Sequence, residues 1–198
     1  MTPLPPSLHR QLQDLARFGH AHDAREASRE RRFLNLDWDS AEALYLLVRM
    51  SRRRAVLEIG TSNGFSTLWL AQALSAQPDA RLTTIERDGA KQKEARHSLE
   101  QAGLQNRITW LCGDGDTYAE QLEGPFDCLF FDADRLSARR QLELLLPKCS
   151  PDALLLCDNA LSHADELAGY LAFFENNPAF ASSLLPVGKG LHVALRQG

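Results

Sequence analysis

Segments with the hydrophobic pattern of a strand and segments with that of a helix alternate along most of the chain. Five mostly apolar runs have the length of buried strands, and the second of them is also β-branched. They are residues 55–59, 82–85, 108–111, 126–131 and 153–157. The segments between them mostly carry helical patterns, which predicts parallel strands joined by right-handed crossovers. The pattern therefore predicts an α/β fold built around one sheet.

The predicted helices within this part of the chain are 90–102, 141–146 and 163–176. A turn is expected over 147–151, where two prolines lie close together. The last residues, 184–196, predict a closing β-hairpin with its turn at Gly188–Gly190.

The first fifty residues have a different, helical and accessory character. Apolar side chains recur at helical spacing over 8–18, and the charged segment 23–32 predicts a solvated helix face, with a subunit contact or an anionic group as alternatives. A helix is expected over 41–50, with Asp39 or Ser40 as its N-cap. We expect one domain over 1–198, divided into an accessory region, 1–50, and a core, 51–198.

The most informative stretch, residues 55–74, reads AVLEIGTSNGFSTLWLAQAL. A strand leads into a turn bounded by Gly60 and Gly64, and Glu86 ends the next predicted strand. Glycine allows a close backbone approach to a ligand, and a carboxylate in that position can accept hydrogen bonds from both hydroxyls of a ribose. The stretch predicts the nucleotide-binding half of a doubly wound α/β fold.

The glycine spacing narrows the choice of nucleotide. It is Gly-x-x-x-Gly, so neither a pyrophosphate-binding Gly-x-Gly-x-x-Gly nor a triphosphate-binding Gly-x-x-x-x-Gly-Lys-Ser/Thr loop is present. The sequence Glu-x-Gly-x-x-x-Gly, beginning at Glu58, resembles motif I of class I S-adenosylmethionine-dependent methyltransferases. Their cofactor contains an adenosine but no phosphate.

Composition excludes several classes of protein. The formal net charge of -4 argues against nucleic acid as a partner. No apolar run approaches the roughly 20 residues that span a bilayer, and the N-terminus lacks the apolar segment of a signal peptide. The four cysteines show no Cys-x-x-Cys pairing, which favours reduced thiols in a cytoplasmic protein.

A second group of polar residues bears on the chemistry. Asp132 follows one predicted strand, and Asp158 and Asn159 follow the next. Neighbouring parallel strands would bring these three side chains to one edge of the sheet. Two carboxylates and an amide oxygen suit Mg²⁺ or Ca²⁺, although Asp and Asn also commonly turn a chain after a strand.

Three segments together carry a family resemblance over essentially the whole chain. They are VLEIGTSNGFSTLWLA, FFDADR and CDNALSHADEL. The sequence resembles the cation-dependent O-methyltransferases, the group of catechol and caffeoyl-coenzyme A O-methyltransferases, especially their small bacterial relatives. The resemblance implies a Rossmann-like, mostly parallel seven-stranded sheet of order 3-2-1-4-5-7-6 with one antiparallel strand. It also implies a homodimer, in which residues 8–33 contribute to the contact.

The resemblance also implies roles for individual residues. Four would line the methionine end of S-adenosylmethionine: Glu58, Gly60, Thr61 and Ser66. Glu86 would hold the ribose, and Asp114 with Gly115 would face the adenine. Asp132, Asp158 and Asn159 would bind the metal and act in catalysis, with Asp132 also close to the cofactor. Residues 34–36 would cover the cofactor and a small-molecule acceptor, which we expect to be phenolic or catechol-like.

The implied chemistry is transfer of the sulfonium methyl group to an acceptor hydroxyl that a divalent cation acidifies and positions. One residue departs from the family pattern, since Arg135 occupies the place of a lysine base. A guanidinium stays protonated and cannot accept the proton. The cation alone, an easily ionised acceptor, His163 or Lys189 could compensate, and Arg135 could instead bind an acceptor carboxylate or phosphate.

Three other functions stay open at this point. A metal-independent methyltransferase on the same fold is the nearest alternative. A nicotinamide-dependent dehydrogenase is disfavoured by the missing third glycine. A cofactor-binding protein without catalytic activity would account for the absent lysine.

Overall fold

A seven-stranded sheet forms the centre of the molecule. The computed structural model describes residues 4–198, so the first three positions of the predicted domain lie outside the described residues. The strands are β1 (Ala55–Ile59), β2 (Arg81–Glu86), β3 (Ile108–Cys112), β4 (Phe126–Phe131), β5 (Cys149–Cys157), β6 (Phe180–Leu185) and β7 (Leu191–Arg196). Their order is β3-β2-β1-β4-β5-β7-β6, and β7 runs antiparallel to both of its neighbours. The predicted fold class is confirmed.

Helices pack against the sheet. Within residues 4–198 the α-helices are α1 (Pro6–Asp23), α2 (Trp38–Met50), α3 (Phe65–Leu74), α4 (Gly89–Gln101), α5 (Gly115–Gln121), α6 (Ala138–Leu145) and α7 (Ala168–Phe174). None of the helices in this part of the chain is long and apolar enough to cross a membrane.

The hydrophobic core consists of two clusters that the strand pleat separates. In β1, Val56 belongs to the cluster that includes buried residues of α1, α2 and α3, whereas Leu57 belongs to the cluster that includes α6 and α7. Successive side chains of a strand point to opposite faces. A continuous apolar run therefore supplies both clusters at once, as expected for a sheet covered on both sides.

The accessory region contains two corrections. The segment after Asp23 leaves the helix, because the Asp23 carboxylate accepts hydrogen bonds from the Phe33 and Leu34 N–H groups at 2.7 and 2.8 Å. The prediction of a helix face over 23–32 is therefore wrong. The capping prediction is also wrong, since α2 begins after Asp37 without a side-chain cap, and the Ser40 hydroxyl donates instead to the Val187 carbonyl at 3.2 Å.

The second half of the core departs from the predicted bounds in four places, one of which is β6, since this strand begins at Phe180 although the hairpin was expected from residue 184. The turn expected over 147–151 is wrong beyond residue 148, because β5 already begins at Cys149. Pro151 is tolerated there since the pairing of β4 with β5 is irregular at that point and needs no N–H donor. Helix α6 begins three residues before the predicted start, and only 168–174 of the helix expected over 163–176 is α-helical.

Candidate active site

The turns after β1 and β4 are in direct contact at one edge of the sheet. Gly60 has a φ of 109°, and a Cβ added there would lie 2.3 Å from the Asp132 carbonyl oxygen. The Asp132 N–H donates to the Ile59 carbonyl at 3.0 Å. Only glycine fits so close an approach at this φ. The contact joins the two polar clusters that the sequence predicted separately.

Glu86 lies at the end of β2, beside the glycine turn. One carboxylate oxygen accepts the Ser62 N–H at 2.8 Å, and the other accepts the Asp88 N–H at 2.9 Å. A carboxylate oxygen can accept two hydrogen bonds, so each oxygen retains capacity for a ribose hydroxyl. The backbone thus holds Glu86 in one orientation, and the residues present fit the nucleoside that the motif implies.

Asp114 and Gly115 follow a loop that is bonded to the end of β2, because the Gly113 N–H donates to the main-chain carbonyl of Glu86 at 2.9 Å. The Asp114 side chain caps α5 by accepting the Thr117 N–H at 2.9 Å, and this bond lowers the pKa of Asp114. A Cβ on Gly115 would lie 2.9 Å from the Gln141 side-chain nitrogen. The structure brings both residues to the Glu86 side of the edge, and their contact with adenine stays a prediction.

Glu58 is buried below the glycine turn with none of its surface exposed. Its carboxylate accepts hydrogen bonds from the hydroxyls of Ser66 at 2.6 Å, Thr67 at 2.7 Å and Thr84 at 2.7 Å. Burial raises its pKa, while the three hydroxyls act in the opposite direction. The hydroxyl oxygens of Thr61 and Thr84 are 2.5 Å apart, which ties the turn to the same network.

This network contains three of the four residues predicted to line the methionine end, Glu58, Thr61 and Ser66, and the fourth, Gly60, is in the turn beside it. The Glu58 carboxylate is already occupied by protein hydroxyls, so the observed role of the residue is to hold the turn and the first turn of α3 together. A direct contact of Glu58, Thr61 or Ser66 with a cofactor stays a prediction.

Asp132, Asp158 and Asn159 lie together after β4 and β5, as predicted. The Asn159 amide nitrogen donates to Asp132 Oδ1 at 3.2 Å, which leaves the amide oxygen free to face elsewhere. Asn159 has a φ of 66°, a conformation that asparagine tolerates better than most residues. Within residues 4–198, Asp158 Oδ1 is buried without a hydrogen-bond partner.

The electrostatics of this pair favour a positive charge. Burial raises the pKa of Asp132 well above its usual value, and the charges of Asp158 and Glu58 raise it further. Burial also raises the pKa of Asp158, to about 6. Lys189 lowers both values, and Arg135 lowers that of Asp132. Two buried carboxylates that resist ionisation together would be stabilised by a cation between them.

The residues present fit a divalent cation. Two carboxylates and one amide supply oxygen ligands of the kind that Mg²⁺ and Ca²⁺ bind, and the unpartnered Asp158 oxygen gives a specific reason to expect a ligand. In the part of the chain that the structure describes, no group of three or more His, Cys, Asp or Glu side chains could hold a metal ion. The ligand set therefore depends on the Asn159 amide.

Two ion pairs border this edge, and the sequence patterns identified neither. Arg135 Nε donates to a Glu166 oxygen at 2.7 Å, so Arg135 is not simply solvated. Lys189 Nζ lies 3.7 Å from an Asp37 oxygen. Asp37 raises the pKa of Asp158, which places the start of α2 near the aspartate pair.

The covering segment 34–36 is connected to the cofactor side through its neighbours. The Ser62 hydroxyl donates to the Phe33 carbonyl at 2.7 Å, and Lys91 Nζ donates to the Arg32 carbonyl at 2.6 Å. Ser62 itself was not predicted as a site residue. Its position between two glycines is the one sequence signal that could have identified it.

Comparison with known proteins decides the family. The family described as "Methyltransferase domain" matches residues 57–160, just over half of the chain. The chain belongs to this methyltransferase family. The match begins in β1 and ends directly after Asn159, so it includes every residue predicted to bind the cofactor or the metal, but not the covering segment 34–36. Together with the relatives below, it confirms the predicted resemblance to the class I S-adenosylmethionine-dependent O-methyltransferases.

Curated relatives share the same region. The catechol O-methyltransferase of Mycobacterium tuberculosis is 35% identical over 126 residues, which are 63% of this chain and 56% of that protein. The catechol O-methyltransferase of Niastella koreensis is 32% identical over 122 residues, 60% of this chain and 54% of that protein. The chain thus spans about half the length of the curated relatives that it matches.

A solved structure extends the similarity to the whole chain. A cofactor-bound protein from MTB is 28% identical, covers 100% of both chains and has a TM-score of 0.77. This methyltransferase therefore shares its entire fold, including the accessory helices, with a protein that was crystallised with a cofactor.

Proposed function

We propose that this protein transfers a methyl group from S-adenosylmethionine to a hydroxyl of a small, phenolic or catechol-like acceptor, with the help of Mg²⁺ or Ca²⁺. The contact between Gly60 and Asp132 carries the proposal, because it joins a nucleoside-binding turn to a buried carboxylate pair. Family membership supports the methyl transfer, and the names of the two catechol O-methyltransferases support the acceptor class.

On the cofactor side, the chain supplies binding and orientation. Glu86 is held by two backbone N–H groups and offers its remaining lone pairs to the ribose hydroxyls. Asp114 and Gly115 border the same place. The network around Glu58 fixes the glycine turn, so the cofactor would meet a site that needs little rearrangement.

On the acceptor side, Asp132, Asp158 and Asn159 would hold the cation. When bound, the cation would supply Lewis acidity to an acceptor hydroxyl. Since Asp132 touches Gly60, this edge would keep the acceptor next to the cofactor turn, and positioning of this kind supplies a large part of the catalysis of group transfer.

Among the residues that could accept the acceptor's proton, His163 is favoured. Desolvation by burial and the neighbouring charge of Arg135 lower its pKa, which favours the neutral ring that a proton acceptor requires. Its Nδ1 lies 2.8 Å from the Ser162 hydroxyl, which leaves Nε2 for this role. Arg135 cannot serve, because it remains a cation.

The direct test is a screen with labelled S-adenosylmethionine. Catechols, simple phenols and acyl-coenzyme A thioesters would be offered with Mg²⁺, with Ca²⁺ and with EDTA, followed by addition of excess Mg²⁺ to the EDTA sample. We expect a labelled catechol ether that EDTA abolishes and Mg²⁺ restores. Labelling of none of these acceptors would contradict the proposal.

A metal-independent methyltransferase is the second candidate. One observation favours it: the described residues hold only two carboxylates in this cluster, and the third ligand would be an amide that already donates to Asp132. Undiminished methylation of a catechol in EDTA would select this alternative.

We also propose a homodimer located in the cytoplasm. Phe18 on α1 is 54% exposed and packs against Phe33 at a centroid distance of 5.7 Å, which leaves an aromatic surface within 8–33. The four free cysteines fit a reducing compartment. Light scattering should give twice the chain mass of 22.1 kDa, and Phe18→Asp should shift it to the monomer. A wild-type mass of one chain would contradict the dimer.

A further inference from the structure

We infer that Lys189 binds an anionic substituent of the acceptor, so that the preferred acceptors are aromatic acids with two adjacent hydroxyl groups. The inference rests on the proposed function and narrows its substrate class. It starts from a turn that the family motifs do not include, the turn between β6 and β7.

This turn is attached directly to the loop that carries the proposed metal ligands. The Lys189 carbonyl accepts the N–H groups of Leu161 and Ser162, each at 3.0 Å, and the Gly190 carbonyl accepts the Ala160 N–H at 2.9 Å. These donors follow Asn159 in the chain. Lys189 is therefore held beside the acceptor edge by backbone bonds.

Two glycines hold the turn from both sides. A Cβ on Gly190 would lie 2.5 Å from the Leu161 nitrogen, and a Cβ on Gly188 would lie 2.3 Å from the Ser40 hydroxyl oxygen. Both glycines have positive φ, at 93° and 52°. The turn is thus fitted between the loop after β5 and the start of α2, which defines the position of the Lys189 backbone.

The Lys189 side chain remains available to a ligand. Its ammonium is 3.7 Å from the Asp37 carboxylate, and the two side chains are 41% and 42% exposed. Exposed ion pairs of this kind contribute little free energy, so a carboxylate of the acceptor can compete for Lys189. Arg135 differs, since its side chain is only 13% exposed and it holds Glu166 at 2.7 Å.

Sheet order places the two cations on opposite sides of Asp158. Arg135 follows β4, Lys189 precedes β7, and β5 with Asp158 at its end lies between them. The charge of Lys189 acts on both Asp132 and Asp158. With these two carboxylates neutralised by a divalent cation and a sulfonium nearby, an acceptor with a negative charge complements the edge better than a neutral one. Leu161, 50% exposed, offers adjacent apolar surface to a ring.

A matched pair of acceptors tests the inference: 3,4-dihydroxybenzoate and its neutral amide, 3,4-dihydroxybenzamide, assayed with Mg²⁺. We expect Lys189→Met to lower kcat/KM for the acid by at least about tenfold, mainly through KM, because a charge-assisted hydrogen bond is lost. For the amide, which has no carboxylate for Lys189 to bind, the loss should be clearly smaller than for the acid. Lys189→Arg should keep most of the preference for the acid, and Asp37→Asn should increase it by removing a competing carboxylate.

Lys93→Met serves as the control, since Lys93 is exposed on α4. Thermal unfolding and cofactor affinity of each variant show whether it folds. Equal losses for acid and amide, or no loss for either, would overturn the inference while leaving the proposed function standing. If the wild-type protein methylates neither acceptor nor any other catechol, the proposed function fails and the inference with it.

Discussion

The buried carboxylates in the two halves of the site differ in how completely the protein satisfies their hydrogen bonds. On the cofactor side, Glu58 accepts three hydroxyl hydrogen bonds, and both oxygens of Glu86 accept backbone N–H groups. On the acceptor side, Asp158 has an oxygen without a partner, and Asp132 receives one amide bond. The first half is completed by the chain itself, whereas the second retains an unpartnered oxygen, for which we propose a cation as ligand. The stability of the acceptor half should therefore depend on a bound ligand, whereas that of the cofactor half should not.

The largest effect is expected from Asp158→Ala. Loss of a metal ligand should lower methylation of a catechol by at least about a hundredfold, since loss even of a supporting partner often costs 10 to 100-fold. Cofactor affinity should stay within about twofold, because Asp158 lies away from Glu86. Initial rates and calorimetry measure the two quantities.

Asp165→Ala is the matched control, as Asp165 is exposed in the turn that follows. Asp132→Ala should instead weaken both quantities, because the backbone of Asp132 lies against the Gly60 turn and its carboxylate would therefore lie between the cation and the cofactor. If the Asp158→Ala variant methylates normally in EDTA, the acceptor side needs no cation. The proposed difference between the two halves is then wrong.

A smaller effect should follow from Glu86→Ala. Hydrogen bonds to a charged group contribute roughly 1.5–3 kcal/mol each, so affinity for S-adenosylmethionine should fall at least about tenfold. NAD should not bind the wild-type protein. Calorimetry measures the affinity for S-adenosylmethionine, with Glu94→Ala as the control. An unchanged affinity in Glu86→Ala would show that Glu86 does not bind the cofactor.

The next effect concerns pH in the absence of divalent ions. The pKa of Asp158 is about 6 in the folded protein, above that of an unfolded aspartate at about 3.9. The folded state thus holds the proton more tightly, and the stabilisation this gives is present at low pH and lost as the pH rises through about 6.

From about pH 5 to about pH 7, the free energy of unfolding should therefore fall by about 1 kcal/mol more in the wild-type protein than in Asp158→Asn. Urea denaturation in EDTA measures this difference. Identical pH profiles would show that the protein stabilises the charged form of Asp158 without a cation, as it does the carboxylates of the cofactor side.

The smallest effect is expected from Arg135→Lys. Arg135 holds Glu166 at the border of the site, and a lysine would keep the charge while gaining the ability to release a proton. Activity with neutral catechols should be retained or rise by up to about threefold. A loss greater than tenfold would mean that the guanidinium itself positions the acceptor.

The sequence predicted the parts of this molecule that depend on local patterns. The strands 55–59 and 126–131 were predicted with their observed bounds, because short apolar runs between glycines and polar turns are strong local signals. The helix face over 23–32 was predicted wrongly for the same reason. Its charges are compatible with a helix, and only the long-range bond from Asp23 to Phe33 shows that the chain turns there.

The site residues show the same difference between positions that local patterns predict and positions that depend on long-range packing. Glu86, Asp132 and Asp158 end strands, so sheet topology alone brings them to one edge. Asp37 and Lys189 are far apart in sequence, and their proximity depends on how α2 meets the last hairpin. No periodicity or motif encodes such a contact. The same holds for Glu166, whose place beside Arg135 depends on a turn where a helix was expected.

The position of β7 has a consequence for the order in which the protein can form during synthesis. β7 lies inside the sheet, between β5 and β6, although among the strands of this sheet it is the last to be synthesised. The residues after Asn159 are joined to the turn that precedes it. The nucleoside-binding half can assemble on the nascent chain from β1 to β4, whereas the acceptor half must wait for the C-terminal strand, because its contacts are non-local. The half of the site for which we propose a bound cation is therefore also the half that matures last.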